Sequence, residues 1–151
     1  MTLTFSLSGI TEAQKRIREK GKNPSSYCII DIETTGLSPD FDSIIEVSAV
    51  KYVDGKEVGN FTSLIKPEET YDDGTYIDDF IEKLTGITNE MLSTAPDPMP
   101  VFKQFKDFIG ENILIGHNVN FDINFLYDNF EHYLSEKLDN DFVDTMRFSR
   151  F

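Results

Sequence analysis

A run of apolar residues that ends in two carboxylates constrains this chain more than any other feature. Tyr27-Cys28-Ile29-Ile30 leads directly into Asp31-Ile32-Glu33-Thr34-Thr35-Gly36-Leu37, which reads as a buried strand closing in a turn. Side chains at i and i+2 of a strand share a face, so Asp31 and Glu33 converge while Ile30 and Ile32 pack on the opposite side. No Lys or Arg within the segment offsets the two acids. Paired carboxylates repel one another and resist burial, and a bound metal cation resolves that conflict.

With 151 residues, 39% of them hydrophobic, the chain is long enough for one sizeable core and one domain. The single cysteine, Cys28, lies among the apolar strand residues and reads as a small buried hydrophobe, with no disulfide possible within the chain. Near the N-terminus the bases follow a weakly apolar start, the reverse of a secretory signal. No apolar run approaches a membrane span, so the expected compartment is the reducing cytoplasm, with no membrane partner. The net charge of −13 argues against a broad basic surface gripping duplex nucleic acid. Lys15, Arg16, Arg18, Lys20 and Lys22 make only the first 22 residues locally positive. Elsewhere an anionic ligand must be held by metal ions and backbone donors, by a few bases, or with help from a partner, and a metal cation would invert the local sign.

Residues 9–20 have helix-forming composition, with Gly21 as a stop and 21–26 as a linker. The expected division is therefore a basic helix and linker over 1–26 and a compact domain over 27–151. Ser43–Val53 and Lys56–Ile65 read as strands joined by the hairpin signal Asp54-Gly55. Glu68–Asp79 is acidic, lacks an apolar period, and is expected to be a freely varying exposed loop. A short helix is expected over Phe80–Leu84, and a second begins after Thr88. Ala95-Pro96-Asp97-Pro98-Met99-Pro100 is a breaker run. Val101, Phe102, Phe105, Phe108 and Ile109 then recur at helical spacing. Asn112–Ile115 reads as a strand, Val119–Leu134 as a helix with Phe121, Phe125, Leu126 and Phe130 inward, Phe142-Val143 as a brief strand, and Thr145–Phe151 as the start of a helix. A three-strand antiparallel meander followed by strand–helix units predicts a mixed α/β sheet with helices on its faces.

The second informative stretch is Ile115-Gly116-His117-Asn118-Val119-Asn120-Phe121-Asp122. Asp122 falls in the first turn of its helix, where the dipole and free N–H groups favour a carboxylate. If Asp31 and Glu33 neighbour that helix start, three carboxylates meet at one edge of the sheet. Such an all-oxygen set suits Mg²⁺ or Mn²⁺, whereas two histidines and one cysteine offer little to zinc.

Asp31-Ile32-Glu33-Thr34-Thr35-Gly36-Leu37, Leu84-Thr85-Gly86-Ile87-Thr88, Gly116-His117-Asn118 through Phe121-Asp122, and Asp144-Thr145 together resemble the successive motifs of the DEDD family. These are proofreading-type 3′–5′ exonucleases with a ribonuclease H-like fold, related to the epsilon subunit of the bacterial replicative polymerase. The resemblance spans about Tyr27 to the end and agrees in order and spacing. It implies two-metal phosphodiester hydrolysis, with Asp31, Glu33 and Asp122 holding two divalent ions roughly 4 Å apart. It implies further that Thr34, Thr35 and Gly36 present hydroxyl and backbone groups to a 3′-terminal nucleotide. His117, Asn118 and Phe121 would line its sugar and base, and Ile87 would wedge against the stacked base. The implied ligand is a single-stranded or frayed DNA 3′ end, with RNA as the other candidate and a DNA polymerase subunit as a candidate partner.

The pattern departs from the family in one respect. The family brings a fourth carboxylate and a histidine general base in a late motif beyond the place of Asp144, and no His follows Asp144 here. The expectation is a domain truncated at its C-terminus, with impaired activity because a missing general base costs on the order of a hundredfold. His132 has no later Asp at the family spacing, and Asp144 resembles a structural motif residue, not a ligand. A non-catalytic module of the same fold, binding a 3′ end or a polymerase without cutting, is the alternative. Haloacid-dehalogenase-type phosphatases fit less well, since Glu33 stands where they carry Asp.

Overall fold

The computed structural model describes residues 25–147. Five strands form one sheet: β1 (Ser26–Thr34), β2 (Ile44–Val53), β3 (Lys56–Leu64), β4 (Ile113–Gly116) and β5 (Phe142–Asp144). Between β3 and β4 lie α1 (Asp79–Thr85), α2 (Asn89–Ser93) and α3 (Pro98–Ile109). α4 (Val119–Leu134) joins β4 to β5, and a 3-10 turn, Thr145–Arg147, follows β5. The spatial order is β3-β2-β1-β4-β5. β1, β2 and β3 pair antiparallel, and β4 and β5 run parallel to β1. This is the expected ribonuclease H-like arrangement: a meander continued by parallel strand–helix units.

The hairpin forms because both of its turn residues accept a left-handed backbone. Asp54 has φ 52° and Gly55 φ 79°, the pairing that a two-residue turn between right-twisted strands demands. The main apolar layer lies under α3 and α4. Cys28, Ile30 and Ile32 of β1 meet Phe102, Phe105, Phe125, Leu126 and Phe130 there, with edge-to-face ring contacts at 6.1 Å for Phe102–Phe130 and 6.4 Å for Phe105–Phe130. Cys28 is buried and burial raises its thiol pKa, as expected of a small hydrophobe.

A second, smaller layer unites Ile45 with Ile77, Ile81, Ile87 and Leu92. Its origin is a bulge. Glu33 pairs with Glu46, but the next pair is Thr34 with Ile44, so Ile45 is the extra residue that a bulge re-aims. Ile44 stays in the main layer and Ile45 enters the smaller one.

Four expectations need correction. The segment 68–79 is irregular but not free, because Ile77 is buried and Asn89 Oδ1 accepts the N–H groups of Tyr76 and Ile77 at 2.7 and 3.0 Å. The breaker run contains the first turn of α3, since proline at the start of a helix loses no hydrogen bond. Phe121 is only partly buried, its ring 4.9 Å from that of Phe125. β1 also starts one residue earlier than expected, at Ser26. The basic helix over 9–20, the linker up to residue 24 and the helix after Arg147 lie outside the described residues.

Candidate active site at the C-terminal edge of the parallel strands

The site arises where β1 outruns β4. Only Tyr27–Ile29 of β1 pair with Ile113–Ile115 of β4. A Cβ on Gly116 would meet the Ile30 carbonyl oxygen at 3.1 Å and Val119 Cγ2 at 3.0 Å, so glycine permits the close approach that ends this pairing. The chain then leaves through His117 and Asn118, with Asn118 left-handed at φ 56°. That turn delivers the first turn of α4 to the unpaired end of β1. The C-terminal ends of parallel strands flanking a change of strand direction are where open α/β sheets bind ligands.

Asp122 occupies this junction and is 5% exposed. Its carboxyl meets the backbone N–H of Ile32, which favours ionisation. Burial first, and then the charges of Asp31, Glu33 and Asp144, oppose it and push the pKa up to about 7. Asp31 is raised by burial, in part offset by the Ile32 N–H. Glu33 is raised by burial and then by Asp31 and Glu46. Among the described residues, no base is one of the groups acting on these acids. The fold therefore gathers the charge of Asp31, Glu33 and Asp122 without compensating it.

Glu46 is the participant that sequence reasoning missed. It is directly opposite Glu33 across the β1–β2 pair, half-buried, and raised by burial and by Asp31. The available signal was one acid inside the apolar run Ile44-Ile45-Glu46-Val47, which reaches the face of Asp31 and Glu33 only once the strands pair.

The loop after β1 is tied to itself. The Thr34 hydroxyl donates to the Gly36 carbonyl at 2.6 Å, and the Thr35 hydroxyl donates to Asp42 at 3.2 Å while accepting the Ser43 N–H at 2.9 Å. Across the edge, Asp144 Oδ1 accepts the N–H groups of Asn118 and Met146 at 2.9 and 3.0 Å. That carboxylate fixes the approach to α4, a positioning task. Thr34 ends β1 with Thr35 and Gly36 directly after it, and His117 and Asn118 form the turn that leads into α4, whose first turn carries Phe121. Ile87 does not join them: it is 4% exposed within the second apolar layer, where it supplies packing and no free face for a base.

An all-carboxylate set carrying uncompensated charge fits a hard divalent cation. The acids share the edge without being closed into a ligand cage, since among the described residues no three His, Cys, Asp or Glu side chains form a ready metal cluster. Among those residues no helix is long and apolar enough to cross a membrane.

Residues 28–151 match the family model RNase_T, described as exonuclease. The chain is 41% identical over 134 residues to the DNA polymerase III PolC-type of Latilactobacillus sakei subsp. sakei, covering 89% of the chain and 9% of that polymerase. It is 39% identical over 127 residues to the PolC-type polymerase of Bacillus subtilis, covering 83% and 8%. The chain thus spans about a tenth of the length of the curated relatives it matches. Among solved structures, exonuclease I in complex with the SSB C-terminus superimposes with a TM-score of 0.72 at 18% identity, over 85% of this chain and 30% of that one. Escherichia coli exonuclease I with a dA16 oligonucleotide gives 0.70 at 20%, over 83% and 29%. Matched across its sheet and over both acid-bearing segments, the chain belongs to the RNase_T exonuclease family.

Proposed function

We propose that this domain removes nucleotides from the 3′ end of single-stranded or frayed DNA by metal-dependent phosphodiester hydrolysis. The observation that carries the reading is the meeting of Asp122 with Asp31 and Glu33 at the end of β1, where their charges act on one another and no base among the described residues intervenes. Asp31, Glu33 and Asp122 would hold divalent cations, and oxygen ligands select Mg²⁺ or Mn²⁺ over softer metals. Once bound, such ions stabilise charge on the scissile phosphate and lower the pKa of an attacking water. The remaining work belongs to the chain. The backbone around Thr34–Gly36 and the exposed His117 and Asn118 line the terminal sugar, while Phe121, braced by Phe125, offers a ring to the terminal base. A DNA polymerase is the partner to which the PolC-type relatives point.

The test is a 5′-labelled single-stranded oligonucleotide incubated with the chain and Mn²⁺. The expected result is weak one-nucleotide shortening from the 3′ end, lowered further in Asp31→Asn. Calorimetry should show Mn²⁺ binding that weakens in the same variant. A chain that binds no Mn²⁺, or degradation indifferent to Asp31→Asn, would overturn the reading.

A further inference from the structure

The loop joining β1 to β2 presents an aromatic ring that the chemistry above leaves unused. Phe41 is 91% exposed. A lone exposed ring on a loose loop needs no explanation, but both sides of this one are fastened. The N–H groups of Phe41 and Asp42 donate to the Ser38 carbonyl at 3.2 and 2.8 Å. The Asp42 carboxylate accepts the Ser38 N–H at 2.9 Å and the Thr35 hydroxyl at 3.2 Å. The same carboxyl fills the space beside Gly36, where an added Cβ would lie 2.5–2.6 Å from it. Phe41 is thereby tied to the Thr35–Gly36 segment, which follows Glu33 closely, and its loop leaves β1 at the end it shares with the parallel strand β4.

We infer that Phe41 is a stacking residue for the nucleotides immediately 5′ of the one being removed. The inference rests on the exonuclease reading of the site and adds to it the path of the substrate strand. With a net charge of −13 and Asp40 and Asp42 flanking the ring, this loop disfavours phosphate contacts and leaves the apolar ring as its contact for a base. Stacking also tolerates any base, as an enzyme that shortens strands of arbitrary sequence requires. A backbone fastened on both sides of the ring loses little freedom when a base settles on it.

The test uses the full chain in Mn²⁺ with two probes: dT8 carrying a slowly hydrolysed phosphorothioate at its 3′-terminal linkage, and thymidine 5′-monophosphate, which has no upstream base. Phe41→Ala should weaken dT8 binding about 5- to 100-fold and leave binding of the mononucleotide unchanged, and Phe41→Trp should restore dT8 affinity. Because the chain contains no tryptophan, the fluorescence of Phe41→Trp reports this position alone and should be quenched by dT8 and not by the mononucleotide. If wild type binds both probes, Phe41→Ala holds dT8 within twofold of wild type and Phe41→Trp is not quenched, the stacking assignment is overturned while the exonuclease reading stands. If wild type binds neither probe, both are overturned.

Discussion

Burial of Asp122 beside Asp31, Glu33 and Asp144 pushes its pKa up to about 7, well above that of an aspartate in an unfolded chain. A carboxyl whose folded pKa is raised binds its proton more tightly in the native state. Its contribution to stability is therefore complete below the unfolded pKa and is lost as pH climbs through 7. In EDTA, the free energy of unfolding should fall by on the order of 2–4 kcal/mol between pH 4 and pH 8. Asp31, Glu33 and Glu46 shift in the same direction and add to the slope. Urea denaturation at several pH values checks this, and Asp122→Asn should flatten most of the profile. Stability that rises across the same interval would contradict the placement of Asp122. Cation binding requires the ionised carboxyl, so Mn²⁺ affinity should increase with pH up to about 7 and binding at pH 6 should release protons.

Among the elements, the turn between β4 and α4 decides whether Asp122 reaches β1 at all. Asp144, at the end of β5, holds that turn by accepting the N–H of Asn118 and, in the same way, the N–H of Met146. Asp144→Ala leaves two donors without this acceptor and should cost about 1–3 kcal/mol, with weaker Mn²⁺ binding because α4 loses its anchor. Asp144→Asn keeps an acceptor oxygen and should recover most of both losses. Urea midpoints and Mn²⁺ titration of the two variants provide the check, and equal losses in both would argue against a positioning role. This turn also marks where the sequence was legible. Gly116-His117-Asn118 could be read as a turn into a helix because glycine and asparagine tolerate what the turn requires, and α4 spans Val119–Leu134 as its apolar period predicts. The second apolar layer was not legible. Ile77 sits in a segment without period, Ile81 and Ile87 in short pieces around Gly86, and Ile45 turns to that layer only because a bulge interrupts β2. Pairing register, not local pattern, likewise put Glu46 opposite Glu33.

For the molecule as a whole, charge sets the terms on which a nucleic acid can be held. Five of the fourteen bases, Lys15, Arg16, Arg18, Lys20 and Lys22, precede β1, while the sequence from residue 27 onward is strongly acidic. Within it, Lys106 is paired with Glu136 and Lys51 lies over the ring of Phe108 at 4.4 Å, so neither is a ready phosphate contact. Binding through metal ions, backbone donors and base stacking releases few counterions. The slope of log affinity against log salt for single strands is about −0.7 for each neutralised phosphate, so one or two such contacts mean less than about a tenfold loss between 50 and 200 mM salt. Anisotropy titrations of a labelled oligonucleotide in Mn²⁺ would measure it. A loss approaching a thousandfold would instead require several basic side chains on the backbone. Repeating the titration with Lys15, Arg16, Arg18, Lys20 and Lys22 replaced by glutamine would then show whether the segment before β1, and not the acid-lined edge, holds the strand.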